Sequence, residues 1–166
     1  MTAYIYGQAP GRRPKVDPKV PFLGGPHGTF LAQLAGVDET VLADLFTFRN
    51  VLDYYPGPNG DGKGDAFPME EARASARELM GDWCWGDTAI FAGHNVAYAF
   101  GVARRCPYFK WHELVDGVQC VVVPHPSRLN RFWNNHAAVS RASGFWKAAV
   151  HEQMLLHPEY EGGMLV

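Results

Sequence analysis

Val118-Gln119-Cys120-Val121-Val122-Val123-Pro124-His125-Pro126-Ser127-Arg128-Leu129-Asn130-Arg131 is the stretch on which the fold turns. Its first six residues are apolar or β-branched at every position but Gln119, which predicts a short buried strand. Pro124 and Pro126 then end it. Each proline ring holds φ near about −65° and restricts the residue before it. His125 is therefore predicted to be a rigidly held imidazole just past a strand end.

Working outward, Ala3-Tyr4-Ile5-Tyr6-Gly7, Leu45-Phe46-Thr47-Phe48 running into Arg49-Asn50, and Thr88-Ala89-Ile90-Phe91-Ala92 read as further strands. Helices are predicted between them. One runs from about Thr29 to a stop at Gly36, with Asp38 opening a turn. A second spans Pro68 to Met80, with Glu70 and Glu71 at the positive end of its dipole. A third runs from Gly93-His94-Asn95 to Phe100, with Asn95 as its cap, and a fourth from about Ala137 to Leu156. Strands alternating with helices predict a single α/β domain over residues 1–166. The expected architecture is a three-layer α/β/α sandwich on a four-stranded, mostly parallel sheet. In such sheets ligands bind beyond the carboxyl ends of the strands. Gly7-Gln8, Arg49-Asn50, Gly93-His94 and His125 all follow predicted strand ends, so four polar loop openings converge on one edge.

The composition limits the function classes. Net charge is −2 with histidine neutral, so no global field draws the chain to polyanions and any nucleic-acid contact needs a local patch. Three cysteines, without a close pair, argue against a disulfide framework, a CxxC zinc site and a four-cysteine cluster. The start of the sequence lacks a basic-then-apolar signal, and no apolar run approaches the roughly 20 residues of a membrane helix. The expectation is an intracellular protein of the cytoplasm or nucleoid, without a membrane partner. Two long loops, Gln8 to Pro26 and Tyr54 to Pro68, are too long for simple connectors. The second carries Asp61-Gly62-Lys63-Gly64-Asp65, but counting a calcium loop from Asp61 puts Ala72 where the bidentate glutamate belongs. No metal site is predicted.

Gly7-Gln8-Ala9-Pro10-Gly11, Pro21-Phe22-Leu23-Gly24, Asn50 and His125-Pro126-Ser127, in that order and at that spacing, resemble the motifs of the uracil-DNA glycosylase superfamily. The nearest pattern is the branch with a GEAPG loop, a PFVG segment, a strand ending in Asn and a late HPS. The resemblance covers residues 4–131; each motif alone is weak and the set is specific. It implies a monomeric DNA glycosylase that flips uracil or a modified pyrimidine out of DNA and hydrolyses its N-glycosidic bond without a cofactor. The departing base gains negative charge and the sugar positive character. By resemblance, His125 donates a hydrogen bond to the pyrimidine O2, Phe22 stacks on the flipped ring, and the Asn50 amide reads the O4 and N3 edge. Gly7, Gln8 and Ala9 form the catalytic loop, whose backbone N–H groups add to the anion hole. Ser127 and Arg131 bind phosphates, Arg128 or Leu129 fills the space the base vacates, and Arg12 and Arg13 extend the basic rim.

The chain departs from the family at three points. Gln8 stands where the iron–sulfur branch has a catalytic Glu, and Ala9 where other branches have Asp or Asn; both are uncharged. Asp17 and Asp53, in nearby loops, are the candidate replacements for that carboxylate. The four cluster cysteines are missing, so no iron–sulfur cofactor is expected. Gly11 stands where a Tyr excludes the 5-methyl of thymine in the uracil-specific branch, so 5-substituted pyrimidines are admissible substrates. The alternative function is a weakened or inactive glycosylase-like protein that binds DNA or a modified base. A weaker one is glycosidic-bond chemistry on free nucleosides. Architectural readings also exist: His125 bonding a backbone carbonyl, Asn50 in an Asx turn, Phe22 as core, Gln8 capping its loop, His27 as an exposed loop residue.

Overall fold

In a computed structural model the chain is described over residues 1–11, 23–62, 64–127 and 130–160. The elements are β1 (Ala3–Gly7), α1 (Pro26–Ala35), α2 (Glu39–Leu45), β2 (Thr47–Asn50), α3 (Met69–Met80), β3 (Thr88–Ala92), α4 (His94–Ala99), β4 (Trp111–Val115), β5 (Val118–Val123) and α5 (His136–Leu156). Short 3-10 turns at Arg131–Asn134 and Pro158–Tyr160 flank α5.

The sheet runs in the order β2-β1-β3-β5-β4. All neighbouring pairs are parallel except β4 with β5. The four expected strands are present, and the sheet has a fifth, β4, at its edge. The missing signal was the Asp116-Gly117 turn joining β4 to β5. Both residues have positive φ, 45° and 77°, as a two-residue hairpin requires. Trp111–Val115 alternates exposed and half-buried positions, the pattern of an edge strand with one face in water.

Period-two alternation divides the core between the two faces of the sheet. Ala3, Ile5, Phe48, Ile90, Ala92, Val121 and Val123 pack with Leu31 and Leu34 of α1, Leu42 of α2, and Trp146 and Val150 of α5. Tyr4, Tyr6, Ala89, Phe91, Cys120 and Val122 pack with Ala72 and Ala76 of α3 and Val96 and Ala97 of α4. Three layers result, α/β/α. β1, β3 and β5 are apolar along almost their whole length because helices cover both of their sides.

Local chemistry explains the helix ends. α1 stops at Gly36, whose φ of 73° is left-handed and whose N–H donates to the Ala32 carbonyl. Asp38, expected to open a turn, is the N-cap of α2, a seven-residue helix too short for its periodicity to stand out. Pro68 is the N-cap of α3, one position earlier than expected. α5 starts at Asn135, whose side chain accepts from the Ala137 and Ala138 N–H groups.

Candidate functional site

Chain order fixes where a site can form. β2 lies on one side of β1 and β3 on the other. Connections therefore leave β1 in opposite directions, with α1 and α2 on one face and α3 on the other. Such a reversal opens a crevice at the carboxyl ends of the central strands.

Four strand ends meet there. Gly7 is opposite Asn50 in register. Pairing continues beyond the sheet, with Val51 N–H donating to the Gly7 carbonyl at 2.9 Å and Leu52 N–H to the Gln8 carbonyl at 2.9 Å. These bonds anchor the Gly7-Gln8-Ala9 loop to the exit of β2 and leave Gln8, Ala9 and Asn50 half-buried. On the other side, Ala92 is opposite Val123. Gly93 N–H donates to the Val123 carbonyl at 2.8 Å. Gly93 has φ 104° and ψ 156°, a backbone state essentially confined to glycine. A Cβ placed on it would lie 3.6 Å from the His125 Cβ, so this turn sits directly against the histidine.

His125 is held as the prolines predict, and more tightly. Pro124 and Pro126 are buried. The His125 carbonyl accepts from the Trp133 indole N–H at 2.9 Å and from the Asn130 amide at 3.3 Å. The Ser127 backbone N–H donates to His125 Nδ1 at 3.2 Å. Nδ1 is therefore an acceptor, and the proton of the neutral ring belongs on Nε2. Burial, reinforced by the charge His27 would carry, pushes the His125 pKa down to about 4; the negative charge of Asp65 opposes the fall. Burial is the dominant cause because an imidazolium loses hydration there. At neutral pH the site therefore presents a neutral, oriented imidazole whose Nε2–H is a hydrogen-bond donor.

His27 was expected on an exposed loop. It lies instead in the first turn of α1, half-buried, with its ring edge-on to His125 at 5.4 Å between centroids and 84° between planes. Burial lowers its pKa as well. The sequence signal was slight: Pro26 favours the first turn of a helix, which makes Pro26-His27-Gly28 a helix start. Asn95 is not the cap of α4; Gly93 is, and Asn95 is exposed. His94 turns away from the crevice: its Nε2 bonds the Cys106 carbonyl at 2.7 Å and its ring packs on Tyr108. Arg49 pairs with Asp82 and lies over the Tyr4 ring, which makes it architectural.

The structure thus brings Gly7, Gln8, Ala9, Asn50 and His125 to one edge, with Ser127 two residues beyond His125. Arg131 is exposed at the start of the 3-10 turn that follows. Phe22, Arg12, Arg13, Arg128, Leu129 and Asp17 lie outside the described residues. Asp53 is exposed, just past the Leu52 pairing. Among the described residues, no group of three or more His, Cys, Asp or Glu side chains could hold a metal ion. No helix among them is long and apolar enough to cross a membrane.

The chain matches no protein-family model and no curated protein.

Proposed function

We propose that the chain is a monomeric, intracellular DNA glycosylase that accepts a flipped uracil or 5-substituted pyrimidine and hydrolyses its N-glycosidic bond. The observation that carries this reading is His125: neutral, with Nδ1 occupied by Ser127 N–H and its carbonyl anchored by Trp133 and Asn130. A preorganised neutral donor suits a leaving group that becomes anionic only in the transition state. A hydrogen bond from Nε2–H to the pyrimidine O2 strengthens as charge builds there. An imidazolium would be better solvated and would cost more to bury. Asn50, on the strand end opposite Gly7, offers a donor and an acceptor for the edge of the base. The backbone of Gly7-Gln8-Ala9 lines the same crevice. Ser127, Arg131, Arg128 and Leu129 follow His125 in sequence, and with Arg12 and Arg13 they are assigned to the DNA strand. Phe22 is assigned to stacking on the base.

A binding protein without catalysis is the second reading, and Gln8 with Ala9 favours it, because neither can carry negative charge toward a sugar cation or activate water. One experiment separates the two. The protein is incubated with single- and double-stranded oligonucleotides carrying uracil, mispaired thymine or hydroxymethyluracil, followed by alkaline cleavage of abasic sites. Strand breaks that fall by about 10²-fold or more in His125→Ala support the enzyme. DNA binding with no cleavage of any substrate supports the binder and sinks the enzyme.

A further inference from the structure

The loop that leaves β2 carries a carboxylate, Asp65, where the neighbouring Gln8-Ala9 turn has none. The segment Tyr54–Pro68 leaves β2 beside that loop, because Val51 and Leu52 are hydrogen-bonded to Gly7 and Gln8. It then folds back on itself. Asn59 N–H donates to the Gly64 carbonyl at 2.8 Å, Ala66 N–H to the Gly57 carbonyl at 2.9 Å, and Pro58 and Asp65 form an antiparallel bridge. This closure brings Asp65 back toward the base of its loop, where the Tyr55 hydroxyl donates to Asp65 Oδ1 at 3.0 Å. Tyr55 lies three residues beyond the Leu52–Gln8 bond, so its hydroxyl ties Asp65 to the segment that leaves β2. Its charge also reaches His125 on the β5 side. Asp65 is exposed, so its carboxylate remains hydrated.

We propose that Asp65 is the catalytic carboxylate of this site, supplied by the loop after β2 in place of the charge that Gln8 and Ala9 lack. The inference rests on the glycosylase reading. In the reaction, the C1′–N1 bond breaks and its electron pair stays with the base, where His125 Nε2–H stabilises it. Asp65 accepts a hydrogen bond from the attacking water and faces the developing sugar cation with opposite charge. A C1′–O bond forms, Asp65 takes one water proton, and that proton passes through solvent to the departed base anion. The net change is addition of one water across the glycosidic bond. Tyr55, whose hydroxyl donates to the carboxylate, is a positioning residue.

The test is single-turnover base release by Asp65→Asn, with the most active substrate found for the wild-type protein. A general base contributes about 10²- to 10⁴-fold, so the variant is expected to lose at least about 10² in rate. Its affinity for the oligonucleotide and its thermal midpoint should stay near wild type, because the side chain is exposed. Adding Gln8→Glu to Asp65→Asn should recover part of the rate, which a merely structural role for Asp65 does not predict. An independent readout is the His125 titration followed by NMR: loss of the Asp65 charge should move its midpoint down. An active wild type whose Asp65→Asn rate stays within about threefold overturns the assignment and leaves the glycosylase reading intact. A wild type that releases no base from any substrate overturns both.

Discussion

Acidification should destabilise this protein through one histidine, by an amount the structure sets. His125 has a folded-state pKa of about 4 against an ordinary value of 6.5. At roughly 1.4 kcal/mol per pH unit, that difference corresponds to about 3 kcal/mol. Because the folded value is depressed and the group is a base, the unfolded chain binds the proton first. Between pH 6.5 and about 4 the unfolded state carries more protons, so stability falls as pH falls through that window. It is at its full value above 6.5 and levels off below about 4. Two groups act on the ring: His27 of α1 lowers its pKa further, and Asp65 of the loop after β2 raises it. His27 is itself depressed by burial and adds to the acid loss. Urea unfolding at pH 8, 6.5, 5.5 and 4.5 measures the effect, with His125→Gln as the reference that removes it. The variant should lose about 2–3 kcal/mol less than wild type between pH 8 and 4.5. NMR of the ring carbons reports the titration directly, and the ¹⁵N shifts should identify Nε2 as the protonated nitrogen. A His125 midpoint near 6.5, or wild-type and variant curves of equal slope, would refute both the burial argument and the neutral-donor role.

Three further outcomes follow from the packing around the crevice. Gly93→Ala should lower stability by about 1–3 kcal/mol in denaturant unfolding, because φ 104° with ψ 156° strains any L side chain even though the Cβ has room; a cost below about 0.5 kcal/mol would contradict the backbone reading. Trp133→Phe keeps an aromatic ring against Phe30 but removes the indole bond to the His125 carbonyl. It should cost about 1 kcal/mol and reduce base release more than its stability loss explains, whereas unchanged release would show that Asn130 alone holds the loop. Trp146→Ala, at a site 1% exposed in the α5 layer, should cost about 3–5 kcal/mol by thermal or urea unfolding without altering the His125 tautomer; a loss under about 1 kcal/mol would mean the core collapses around the gap.

Much of the scaffold was legible because its signals are local. β1, β3 and β5 are runs of residues apolar on both faces, bounded by Gly or Pro, and their predicted ends coincide with the observed ones. α5 and α3 carry caps, acidic first-turn residues or glycine stops within one or two positions of their ends. Two elements escaped. α2 is seven residues long, too short for helical periodicity to separate from a turn. β4 alternates on an edge with Trp, His and Glu, and only Asp116-Gly117 marked the hairpin.

The sequence by itself determined that four polar strand exits would meet and that His125 would be rigid, because proline geometry and strand alternation act within a few residues. Only the tertiary structure decided the electrostatics of that meeting point. The neutrality of His125 depends chiefly on burial by elements distant in the chain, and secondarily on His27, 98 positions before it, placed edge-on by the packing of α1. The position of Asp65 depends on a loop that closes on itself and on a bond from Tyr55. No spacing in the sequence encodes either contact, because hydration lost and charge felt are set by distances through space and not along the chain.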